Sequence, residues 1–433
     1  MTTATQRGLA PIREVLDNGA VIIVKETHTT PAVTISAVIQ AGSIYESDGQ
    51  LGLANFLSRV IDRGTKDRTA EMIAEQLDYR GVSISINATR HTQVFNCTCL
   101  SEDFDFILQL MGDIISEPST PTDEVEKRRA EIITAIRQDE DNPAVVATEK
   151  LFELLYPDGH PYGRPAKGKI ETLEAIDRSV LELFHKARFS PSVLSLVVVG
   201  DVTPARALAV AAKVFGRWSA PIPKSVTLPS PPHAPQRREC VAAMMNKSQV
   251  DIAYGFTTIT RADPRYYAFT LMNNALGQYS LGGRLGDSIR ERQGMAYYAF
   301  SAFDANVIES PLIIRAGVNP ANVDRAVASI DQEIARIARD GLSAEELADC
   351  QRYLIGSMPR MLETNAAIAR FLQTAEFFGL GTDHDLHLPT LLNAVTLDEV
   401  NAAAATLSPD RAALVIAGPY TPTNTRSAGN ERS

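Results

Sequence analysis

The sequence predicts an α+β protein of two homologous domains, each a mostly antiparallel sheet with helices packed mainly on one face. Three observations predict it. A chain of 433 residues is too long for one ordinary hydrophobic core and suits two. β-rich runs follow one another directly instead of alternating strictly with helices, which disfavours a doubly wound parallel sheet. The order of elements in the first half returns in the second, as an internal duplication with little surviving identity would produce.

The first half opens with β-rich runs at 19–27 (GAVIIVKET) and 32–43 (AVTISAVIQAGS), separated by turn residues. A helix containing Asn55 follows, then a second at 69–81. Strands are expected at 82–90 and 92–100, helices at 104–115 and 123–141, and the short apolar run SLVVVGDV closes the half as a buried strand. Residues 1–219 are read as the N-terminal domain.

Six prolines among the seventeen residues 220–236 cannot sit in a helix or a central strand, so this stretch reads as an extended, semi-rigid linker. The C-terminal domain, 237–419, repeats the pattern. It has a strand at 250–258, a helix at 265–277, strands at 295–305 and 311–318, a helix at 322–341, further helices and a closing strand at 411–419. The polar segment 420–433 lacks periodicity and reads as a tail.

Composition excludes several classes. With 45% hydrophobic and 22% charged residues the chain is an ordinary globular protein, neither disordered nor collagen-like. A formal charge of −10 without clustered Lys and Arg disfavours nucleic acid as a partner. No apolar run is long enough for a membrane span, and the first twenty residues lack the apolar core of a secretory signal, so the expected location is the cytoplasm. Cys97, Cys99, Cys240 and Cys350 form no C-x-x-C pair and read as core residues. His384 and His387 in DHDLH read as a surface loop, and His160 in HPYGRP as a turn former.

The stretch LGLANFLSRVIDRGT carries the main functional signal through what it lacks. In an H-x-x-E-H helix, two imidazoles four residues apart share a face and hold zinc, and the Glu serves as general base. Here the corresponding positions are Asn55, Ser58 and Arg59. Asn55 offers only a weak amide oxygen, Arg59 has no lone pair, and Ser58 alone is too poor a base. If Arg59 fills the vacated space, its buried cation needs a carboxylate or several carbonyls around it.

LDNGAVIIVKE, AGSIYES, GLANFLSRVIDRGT, DEVEKRRAEIITAIRQDEDNP, HPYGRP and SPSVLSLVVVGDV, in that order, resemble the signature blocks of the pitrilysin-type zinc metallopeptidases. That family includes the mitochondrial processing peptidases and the two-subunit bacterial peptidases. The resemblance runs from Leu16 to Pro419. It implies that the family's third ligand, a Glu, falls where this chain has Thr134 and Ala135, so no cofactor is expected in this chain.

LGGRLGDSIRERQGMAYYAFSAF resembles the family block in which an Arg and a later Tyr reach the substrate, which implies those roles for Arg284 and Tyr297. A phenol and a guanidinium suit charge developing on a peptide carbonyl oxygen. The residues alone leave another reading open: Arg284 pairs with Asp287 or Glu291 along one helix, and Tyr297 is a strand core residue. Tyr298 is the adjacent register alternative, facing the opposite side of its strand.

The function this implies is that of the non-zinc subunit of a heteromeric zinc metallopeptidase, inactive alone. Its expected partners are a homologous H-x-x-E-H subunit, which holds the zinc, and a peptide substrate. The alternative is a purely structural or binding subunit. An autonomous zinc peptidase would need ligands that this sequence does not have, and no Ser/His/Asp or Cys/His nucleophilic arrangement stands out.

Overall fold

Two sheets carry the fold, and they share one strand order. The computed structural model describes residues 8–232, 235–278 and 283–422. The first sheet comprises β1 (Ile12–Val15), β2 (Val21–Glu26), β3 (Ala32–Ile39), β4 (Ile84–Ala88), β5 (Gln93–Leu100) and β6 (Leu194–Gly200), in the order β1-β2-β6-β3-β5-β4. The second comprises β7 (Arg238–Ala243), β8 (Val250–Thr257), β9 (Ala296–Phe303), β10 (Pro311–Val318) and β11 (Ala413–Gly418), in the order β7-β11-β8-β10-β9.

With β1 set aside, each sheet places its first strand beside its last, then its second, fourth and third. The pairs β2–β6 and β7–β11 are parallel and all the others antiparallel. This shared topology is the structural record of the duplication. β4 and β9 are equivalent edge strands. The edge strand β1, with every residue partly exposed, and the alternating β7 lie outside the expected elements, since neither carries a strong apolar run.

The central strands are apolar on both faces because helices cover both. In the first sheet Ile22, Val24, Leu196 and Val198 face a large core. That core is shared with Phe56 and Leu57 of the helix Leu53–Val60 and with Phe104, Leu108 and Met111 of the helix Phe104–Ser116. Their neighbours Ile23, Val197 and Val199 point the other way and pack on Ile368, Ala369 and Leu372 of the helix Asn365–Phe377. Gln373 of that helix is buried, and its amide donates to the carbonyls of Ser36 (2.7 Å) and Ser195 (3.1 Å).

The second sheet is covered correspondingly. The helix Pro143–Leu155 begins with Asn142, whose side chain caps the Ala144 N–H at 3.0 Å, and Pro143, whose missing N–H costs nothing in a first turn. It packs on β8 and β11, where Gly255 leaves room: a Cβ there would lie 3.2 Å from Leu151 and 3.3 Å from Leu155.

The compact units are therefore not the contiguous stretches 1–219 and 237–419. One takes the chain through Ile136, Arg164–Pro229 and Tyr353–Asn393; the other takes Arg137–Gly163, Ser230–Arg352 and the chain from Ala394. An amphipathic helix shows that it has an apolar face but not which sheet that face will cover. The proline-rich stretch has neither helix nor strand in its described part. Its first half belongs to the first unit, where the buried Arg188 donates to the Lys224 carbonyl (2.7 Å) and stacks on Tyr45. Residues 233–234, and the tail from residue 423, lie outside the described residues.

Cys97, Cys99 and Cys350 are buried free thiols and Cys240 is half-buried. His160 accepts the Tyr162 N–H (3.0 Å) and shapes its turn. DHDLH is not a surface loop. His384 begins the helix His384–Ala394, buried against Phe371, and of the two histidines His387 alone stands exposed, beside Asp383.

Candidate functional site

The helix Leu53–Val60 is fixed at its start by three of the sequence blocks. Gly52, at φ 91°, turns the chain into it. The buried Glu46 carboxylate accepts the N–H groups of Gly52 (2.9 Å) and Ala54 (2.7 Å). Arg164, from HPYGRP, donates to the Glu46 carbonyl (2.9 Å) and to Asp48 (2.6 Å). Burial pushes the Glu46 carboxyl up to about 7, against the pull of its two N–H donors.

On this helix Leu53, Ala54, Phe56, Leu57 and Val60 face the core, Asn55 is half-buried, and Ser58 is buried with its hydroxyl donating to the Asn55 carbonyl (2.7 Å). Arg59 is exposed and has no hydrogen-bond or ion-pair partner among the described residues. The expected buried, paired cation is therefore not found. Position 59 turns away from the core, and an exposed guanidinium keeps its hydration without any carboxylate.

The helix Thr122–Glu140 lies alongside, with Arg129 above the Phe56 ring at 5.7 Å. Thr134 is exposed and its hydroxyl donates back to the Ala130 carbonyl (2.8 Å); Ala135 is half-buried. An amide, a hydroxyl that is not ionised, a guanidinium and a methyl group do not form a zinc donor set. No group of three His, Cys, Asp or Glu suited to a metal occurs among the described residues.

In the second unit the helix Tyr266–Asn273 widens into a π-helical turn at Asn274–Gln278, and a second π-helical stretch spans Gly286–Arg292. Such wide turns often accompany functional positions. Arg284 lies just before the second. Its Nε and Nη2 each donate to a Glu346 oxygen at 2.8 Å, and Nη2 also reaches the Gly341 carbonyl at 2.8 Å. The side chain is only 11% exposed. Asp287 and Glu291, the helical neighbours, are not its partners. Asp287 instead holds Arg292 at 2.6 Å, and Arg290, 42% exposed, has among the described residues only Glu291 as a charged partner, at 3.6 Å.

Tyr297 lies on edge strand β9, where the pairing with β10 slips: Gly317 faces Tyr298 and Val318 faces Ala296. Tyr297 is the extra residue of a β-bulge and has no partner in the ladder. It is 68% exposed, and its hydroxyl has no hydrogen-bond partner among the described residues. Tyr298 is half-buried and donates to the Asp251 carboxylate. No hydrogen bond joins Arg284 to Tyr297. The sequence marks both tyrosines, but its one trace of the bulge is the glycine in the neighbouring run PLIIRAGV, and nothing in it separates Arg290 from its neighbours.

The description Insulinase (Peptidase family M16) matches residues 21–165, and Peptidase M16 inactive domain matches residues 175–354. The chain belongs to peptidase family M16. An uncharacterized zinc protease of Mycobacterium leprae is 26% identical over 423 residues, 96% of this chain and 93% of its own. An uncharacterized zinc protease of Bacillus subtilis is 25% identical over 94% of this chain and 98% of its own. The fold is that of a solved peptidase M16 inactive domain from Pseudomonas fluorescens, at TM-score 0.89 and 23% identity over 96% of this chain and 99% of that one. It also matches a protease from Helicobacter pylori at TM-score 0.87 and 17% identity, over 96% of this chain and all of that one. The chain contains no H-x-x-E-H run, and no helix among its described residues is long and apolar enough to cross a membrane.

Proposed function

We propose that this M16 chain is the non-zinc subunit of a heteromeric metallopeptidase, supplying transition-state donors to a site whose zinc is held by a homologous H-x-x-E-H partner. The observation that carries the reading is Tyr297: a phenol pushed outward by a bulge, exposed and without a hydrogen-bond partner among the described residues, which also hold no zinc donor set. A packing residue would be expected to bury its ring.

The partner supplies the zinc and the attacking water. As a peptide carbonyl is attacked, charge collects on its oxygen, and the Tyr297 hydroxyl donates to it. Arg284 was expected to stand beside it, but its ties to Glu346 and Gly341 suit it to holding the segment that leads to β9. Among the described residues of that segment the exposed cation with the looser carboxylate contact is Arg290, 3.6 Å from Glu291 where Arg292 is held by Asp287 at 2.6 Å, and it is suited to contact the substrate. Cytoplasmic action on a peptide is part of the same reading.

The engagement of Arg284 also favours the alternative, a purely structural or binding subunit. The two separate on mixing. A catalytic subunit combined with an H-x-x-E-H homologue gives peptidase activity that neither chain has alone. A homologue equally active without this chain would leave the structural reading.

A further inference from the structure

We infer that Asp251 and Tyr298 form the clamp that extrudes Tyr297, making them positioning residues for its hydroxyl; this rests on the function proposed above. The edge strand β9 is hydrogen-bonded on one side only, to β10, so the ladder alone holds the bulge weakly. The residue after the bulge is anchored two strands away. Tyr298 lies over Gly317 of β10 and reaches Asp251 on β8, in a row set by the pairs Gly317–Tyr298 and Gly317–Asp251.

Gly317 is what permits the reach. A Cβ at that position would sit 2.5 Å from the Tyr298 ring and 2.6 Å from the Gln249 amide, so any other residue would displace them. The receiving carboxylate is well held. Asp251 is 4% exposed and accepts from Gln249 Nε2 at 3.2 Å. Arg315 Nη2 stands 3.9 Å away while donating to the Ala144 carbonyl at 3.1 Å. Burial and the neighbouring Asp251 carboxylate raise the Tyr298 phenol further above its ordinary range, so it stays a donor at neutral pH.

The consequence is geometric. With Tyr298 pinned inward and Ala296 back in register, the one surplus residue between them has nowhere to go but outward. Releasing the clamp lets the bulge migrate along β9 and carries the Tyr297 hydroxyl away from a position that catalysis needs to within about an ångström.

The test is steady-state kinetics on this chain reconstituted with an H-x-x-E-H homologue, comparing Tyr298→Phe, Asp251→Ala, Asp251→Asn and Tyr297→Phe singly and Tyr298→Phe with Tyr297→Phe together. Tyr298→Phe should lower kcat on the order of 10²-fold with KM and subunit affinity unchanged. Asp251→Ala should match it, and Asp251→Asn, which keeps an acceptor oxygen, should recover part of the loss. In the Tyr297→Phe background, Tyr298→Phe should cost nothing further. A silent Tyr298→Phe beside a damaging Tyr297→Phe, or additive losses in the double variant, would overturn the clamp alone. A silent Tyr297→Phe would overturn the proposed function beneath it. If Asp251→Ala fails to fold, Tyr298→Phe, which removes one oxygen atom, decides the question.

Discussion

Arg284 and Glu346 are joined by two parallel hydrogen bonds of 2.8 Å, a fork that ties the start of the Gly286–Arg292 segment to the helix Ala344–Met361. The fork gives a catalytically attractive arginine a structural occupation. The Arg284 Nη1 is buried and has no hydrogen-bond partner among the described residues, so little further loss can be absorbed there.

Glu346→Ala should therefore destabilise the protein by about 1.5–3 kcal/mol, the usual worth of a hydrogen bond to a charged group. Urea unfolding measures it. If Arg284 were instead free to turn to substrate, the same variant would change KM and leave stability alone.

A second expectation concerns pH. The Glu46 carboxyl titrates near 7 in the folded chain, above its ordinary value near 4.5, so the folded state holds a proton that the unfolded state has lost. Its stabilising contribution is complete below about 4.5 and is lost as pH rises through about 7, a change on the order of 3 kcal/mol. Glu46→Gln should flatten this part of the stability profile, measured as Tm against pH. An unchanged slope would reassign it to other groups.

His28 provides an independent titration. Its imidazole lies 2.6 Å from Asp201 and 3.1 Å from Glu26, and these contacts, Asp201 first, raise its pKa above 6.5. An NMR titration should place it there, and Asp201→Asn should bring it down.

The exchange of helices between the halves is testable through Leu151, which is fully buried on the second sheet. Leu151→Ala should cost about 2–5 kcal/mol. Amide exchange should rise in β8 and β11, although residue 151 precedes the proline-rich stretch. A loss confined to β2 and β6 would contradict the assignment.

Much of this was legible beforehand because strands announce themselves locally. Runs such as AVTISAVI and RAALVIAGP and the prolines of 220–236 need no tertiary context. Pairing across distance does not show in a linear pattern. Asp287 and Glu291 stand at helical spacing from Arg284, whereas Glu346 is 62 residues away and no periodicity connects them. The outward turn of Arg59 depended on which face of its helix met the core. The bulge at Tyr297 depended on Gly317 in the next strand, and a glycine within PLIIRAGV was its one visible trace.

The role of the Tyr297 hydroxyl is read from kcat of Tyr297→Phe in the reconstituted pair. The substitution removes a single exposed hydroxyl and should leave stability and subunit affinity unchanged. If that hydroxyl donates to the developing oxyanion, kcat falls roughly 10² to 10³-fold, about 2.7–4 kcal/mol. Full activity in the Phe variant would contradict the account and leave a subunit that shapes its partner without sharing in the chemistry.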